Sequence, residues 1–194
     1  MSELKREKIL STVNAENFIG RTPELDALLR HAKGESAAEG LLLLSAPLNG
    51  ATELLKQIFD QLFLEQGEIM PFYFAPKKSD KTAVRCANRF LQEFIKQVVA
   101  FRRQNTNILN FGGDICELGQ LAIPRDGHWI DRLLETCRIE NRLNDENAAA
   151  RTALSAPLRA FASNAKTFVM IDNLHETESF TGDVDFLEML EDVF

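Results

Sequence analysis

The sequence predicts an α/β protein: a parallel sheet with flanking helices, in a three-layer α/β/α arrangement. Three observations carry that expectation. Residues 41–44 (LLLL) and 167–171 (TFVMI) lack the polar alternation of a half-exposed strand, which is how a strand covered on both faces reads. The first run leads through a glycine-containing turn into ATELLKQIFDQLFLEQ, where Leu54, Leu55, Ile58, Leu62 and Phe63 recur at helical spacing. An aromatic, strand-like segment, residues 69–75 (IMPFYFA), follows at once, so strand, turn, helix and strand make a βαβ unit.

In chain order, residues 1–17 form a charged lead-in. The domain proper spans 18–194 and carries a helical insertion at about 105–165. In FIGRTPELDALLRH, Gly20 permits a turn, Thr22 suits an N-cap and Pro23 the first helical position. Leu25, Leu28, Leu29 and Ala32 share an apolar face, and Gly34 ends the helix. Pro71 places the 69–75 strand at an edge or a bulge, because proline gives a sheet no N–H. With Ser79 as N-cap, the strongest helical pattern then runs through Val84, Ala87, Leu91, Phe94, Val98 and Phe101. Lys81, Arg85, Arg89, Lys96 and Arg103 fall together on its other side. Turn chemistry is expected at Gly112, Gly113 and 126–127, helix at 129–143 and again from Glu146, and a kink or restart at Pro157.

Composition sets outer bounds. The 194 residues, 45% hydrophobic and 26% charged, suffice for one domain with a sizeable core. A net charge of −7 argues against a surface adapted as a whole to nucleic acid, leaving the basic helix at 81–103 as a local binding face. Cys86, Cys116 and Cys137 are odd in number and widely spaced, which suggests neither disulfides nor zinc but a reducing compartment. With no signal-like start and no long apolar run, a cytoplasmic protein without membrane contact is expected.

A strand, a turn and a helix are the setting of the phosphate-binding loop G-x-x-x-x-G-K-[ST]. Ser45, Ala46, Pro47, Leu48, Asn49, Gly50, Ala51 and Thr52 lie on that pattern. Gly50 and the hydroxyl of Thr52 are in place, but Ser45 replaces the first glycine and Ala51 the lysine. A lysine contact to phosphate contributes about 1.5–3 kcal/mol. Its loss therefore weakens nucleotide binding roughly ten- to a hundred-fold. Asp172 closes the second apolar run, as the magnesium-holding acid of such sites does. The adjacent position that polarises water in hydrolytic versions is Asn173, which cannot accept a proton.

These pieces, FIGRTPEL, an apolar run with a loop like the phosphate loop, and an apolar run ending DNLHETES, resemble in order and spacing the STAND branch of AAA-related P-loop ATPases. The resemblance spans residues 18 to about 190 and implies ATP or ADP with magnesium, and a switch or oligomerisation platform. By position it places Phe18, Ile19, Gly20 and Arg21 on the adenine side, residues 45–52 around the phosphates, and Thr52 with Asp172 at the metal. In that family another strand lies between the two apolar runs, and the sequence shows no clear strand in the 22 residues after Asp172. An incomplete sheet is therefore expected. The reading favoured by these departures is a degenerate P-loop NTPase-like regulatory or scaffolding module, with weak or no nucleotide binding and no efficient hydrolysis. It would work through a protein partner or self-association. The alternatives are a slow ATPase whose missing cation comes from Arg21 or a partner, and a module that binds nucleic acid or an acidic partner through the basic helix.

Overall fold

A 21-residue helix, α3 (Ala83–Arg103), forms the spine of the computed structural model, which describes residues 8–35, 40–46, 48–182 and 184–194. Its N-cap is Thr82, whose hydroxyl accepts the Arg85 N–H at 3.3 Å, whereas the expected cap, Ser79, lies in the preceding 3-10 turn Lys78–Asp80. Gln104, in the left-handed conformation, ends it. The predicted apolar positions are buried, apart from Val84, which is half-buried.

The fold is mixed α/β and mostly helical. Before α3 come α1 (Thr22–Ala32), α2 (Ala51–Glu65) and β1 (Met70–Phe74). After it come α4 (Ile115–Gln120), α5 (Pro124–Arg142), α6 (Glu146–Leu154), α7 (Ala156–Ala162), β2 (Thr167–Ile171) and α8 (Phe186–Val193). β1 and β2 pair in parallel, from Met70 opposite Thr167 to Phe74 opposite Ile171. On one face Phe72 meets the rings of Phe90 and Phe94 edge-on at 4.9 and 5.0 Å, fixing α3 to the sheet. On the other side α2 packs on β1, and the ammonium of Lys56 stands 5.9 Å from the Tyr73 ring centroid. Helices thus flank both faces of this two-stranded sheet.

The expected strand at 41–44 does not form: the segment is irregular, and its leucines are 55, 79, 39 and 84% exposed. A strand exists only where another backbone supplies its hydrogen bonds. Among the described residues, none joins this run to the sheet. The turn expected at 126–127 is instead inside α5, which begins at Pro124, a residue suited to a first turn. Asp126 is buried there and accepts hydrogen bonds from Arg102 Nε (2.9 Å) and Trp129 Nε1 (3.1 Å), clasping α5 to α3. Pro157 opens α7, so the predicted break is a restart. At the first helix Arg21 takes the cap position and Thr22 begins α1, one residue earlier than expected.

The lead-in is tied to α2 by two carboxylates. Asp60 accepts the N–H groups of Ile9, Leu10 and Ser11 and the Ser11 hydroxyl. About two helical turns earlier, Glu53 accepts the N–H groups of Thr12 and Val13 and the Thr12 hydroxyl. Burial works against the charged form of Glu53, but these donors outweigh it and hold its pKa below the ordinary value.

Candidate functional site

The start of α2 and the end of β2 carry the candidate site. Gly50, at φ +76°, is the N-cap of α2, a left-handed position that a glycine occupies without strain. Its carbonyl accepts the Leu54 N–H at 3.0 Å, so the helix begins where the loop pattern places it. The loop before it is open to solvent: Ser45, Ala46, Asn49 and Gly50 are exposed, and Leu48 projects fully with φ +63°. Pro47 lies outside the described residues. Ala51 and Thr52 open the helix and are half-buried.

The segment expected on the adenine side does reach this loop. Arg21 donates from its guanidinium to the Asn49 carbonyl, and Gly20 turns the chain into α1 at φ +89°. Phe18 packs against the core, whereas Ile19 is 86% exposed. The structure thus brings Arg21 and the loop together, but gives Ile19 nothing to hold.

Asp172 lies at the C-terminal end of the sheet, its N–H donating to the Phe74 carbonyl at 2.8 Å. One oxygen of its carboxylate accepts the Tyr73 hydroxyl at 2.9 Å, and the other the N–H of Asn173 at 2.8 Å. Thr52 makes no hydrogen bond to it among the described residues, so the two residues expected at a metal are not joined. Nor do the described residues contain a group of three side chains arranged to hold a metal ion. Burial, and then the adjacent Asp172 charge, push the Tyr73 phenol well above its ordinary pKa. The phenol therefore stays a donor, and Lys56 supplies positive charge against the ring of the same tyrosine.

Sequence reading found Asp172 and missed Tyr73 and Lys56. The alternation of residues along a strand is the signal that could have found Tyr73, since it places that side chain opposite Phe72 and Phe74, on the face where α2 packs. His175, two residues beyond the strand-end turn, is exposed.

The basic stripe of α3 is not one solvated face. Lys81, Arg85 and Arg103 are exposed, but Lys96 is buried on Glu93 at 2.7 Å and Arg89 grips Asp80 at 2.6 Å. A helix has few outward positions when it is packed on several sides, and α3 touches β1, α4, α6, α7 and α8. After β2, Asp192 pairs with Arg151 of α6 at 2.8 Å, and Glu176 lies 3.9 Å from Lys78.

No family model, curated protein or solved structure matches the chain. Among the described residues, no helix is long and apolar enough to cross a membrane.

Proposed function

We propose that the chain is a degenerate P-loop NTPase-like module of the STAND type, acting as a regulatory or scaffolding domain rather than as an efficient ATPase. The observation that carries this reading is the state of Asp172. Both its oxygens are engaged by the protein's own donors, Tyr73 and the Asn173 backbone, and the neighbouring side chain that would act as base is an amide. The loop lacks its ammonium, so a bound triphosphate would meet the helix N-terminus and backbone donors without the usual point charge. Titration calorimetry with ATP and ADP in magnesium, beside a phosphate-release assay, tests it. Weak or undetectable binding and no turnover are expected, and turnover comparable to that of ordinary ATPases would overturn the reading.

One contact favours a second reading. Arg21 reaches the loop through Asn49, and a guanidinium there could replace the missing lysine in a slow, magnesium-dependent ATPase. In that case Asp172→Asn abolishes a measurable basal rate; an unchanged rate in that variant removes the idea.

A further inference from the structure

The two edges of the sheet are finished differently. In a parallel pair each residue directs its N–H and C=O to the same side, and successive residues alternate. Met70 donates to Lys166 and Asp172 to Phe74, so residues 166, 168, 170 and 172 face β1. Thr167, Val169 and Ile171 therefore face outward. On the outer edge of β1, Pro71 has no N–H to offer. The neighbouring Tyr73 is closed by the side chain of Gln97, which accepts its N–H at 2.8 Å and donates to its carbonyl at 2.9 Å. The outer edge of β2 has neither device. Among the described residues nothing bonds the backbone of Thr167, Val169 or Ile171 on that side, and the strand holds no charge, proline or bulge to discourage pairing.

We infer that this edge pairs antiparallel with the same edge of a second copy of the chain, making a four-stranded sheet about a two-fold axis at Val169. The sequence around the edge is self-complementary in that register. Val169 faces Val169 of the second copy, Thr167 faces Ile171, Phe168 faces Met170, and Lys166 faces Asp172, in both directions. The hydrogen-bonded positions are then 167, 169 and 171, so every outward N–H and C=O of the strand finds a partner. The flanking charges oppose with opposite sign, and Lys166 is exposed and only loosely held by Glu68 at 3.7 Å. A parallel or shifted register would lose that pairing of charges. An isologous contact of this kind is closed, giving a dimer rather than a filament. It also sets an ammonium from the second copy beside Asp172, which deepens the scaffolding reading by naming its partner; calorimetry with nucleotide tests that reading separately.

Sedimentation velocity from about 1 to 200 µM, a range suited to a small interface, follows the dimer in the full chain. Val169→Pro removes an N–H that the β1–β2 pairing does not use, and dimer is expected to disappear while the circular dichroism of the fold persists. Should that variant fail to fold, charge reversal decides. Lys166→Asp and Asp172→Lys each put like charges opposite one another, and each is expected to raise the dimer dissociation constant roughly ten-fold. A mixture of the two variants restores opposite charges at both ends and recovers association. A wild-type chain that stays monomeric throughout the range overturns the proposal, whether residues 41–44 or a different protein covers the edge. So does a dimer indifferent to the charge reversals, or a mixture that associates no better than its components.

Discussion

Gln97→Leu isolates the physics of the closed edge. Gln97 is only 4% exposed, and its amide makes two hydrogen bonds to the Tyr73 backbone, at 2.8 and 2.9 Å. Leucine keeps the apolar stem and a similar volume while removing both partners. Each backbone group left buried without a partner costs about 1–3 kcal/mol, more than the net contribution of the bond itself. For one N–H and one C=O the loss is about 2–6 kcal/mol, a large part of the total stability of a domain this size. Urea unfolding followed by circular dichroism measures it. The midpoint should fall with the slope unchanged, as expected when stability falls without a change in the area exposed on unfolding. Gln97→Glu supplies a comparison: it can still accept the Tyr73 N–H but, when ionised, cannot donate to the carbonyl, so it leaves that carbonyl unpaired and buries a charge. It should therefore not rescue the loss. A Gln97→Leu variant within about 0.5 kcal/mol of the parent, the scale of ordinary surface substitutions, would refute the argument, because it would mean that water or a small backbone shift satisfies Tyr73 at no cost.

Two further predictions concern titration. Asp80 is buried, which by itself raises its pKa, but hydrogen bonds from Arg89 and the Lys77 N–H, with the Arg89 charge, outweigh burial and hold its carboxyl below the ordinary carboxylate range. A depressed native pKa contributes stability that is present above the unfolded value and lost as pH falls through the native one. Acid should therefore destabilise the protein below about pH 4, and Asp80→Asn should cost about 3 kcal/mol at neutral pH while flattening the acid limb in a series of urea titrations. The chain has a single tyrosine, so its absorbance reports Tyr73 alone. With the phenol pKa raised by burial and by Asp172, no tyrosinate should form at pH 10 while the fold is intact. Asp172→Asn should bring ionisation to lower pH by removing the adjacent charge.

What the sequence made legible was local, and what it left dark was relational. The helical periods of α2 and α3 lie in single stretches of chain, as does the strand character of β1 and β2, and each formed within a few residues of its expected place. Pro71 pointed to an edge or a bulge, and β1 does lie at an edge; a missing N–H is a property of one residue and is legible without its neighbours. Residues 41–44 show the limit of this logic. Four leucines read as a strand covered on both faces, but strand formation depends on a neighbouring backbone, and that neighbour is not encoded in the run itself. The candidate site divides in the same way: Gly50 and Asp172 follow from spacing, whereas Tyr73 becomes the partner of Asp172 only through the pairing of two strands about a hundred residues apart in sequence. The basic stripe is the complementary case. Its residues share a helical face, yet Asp80 and Glu93 neutralise two of them, and burial takes Lys96 out of solvent. A charge pattern on a helix therefore becomes a surface only after the packing of its neighbours is known. The same holds for the edge of β2, whose unmatched N–H and C=O groups become meaningful once the register shows which way they point.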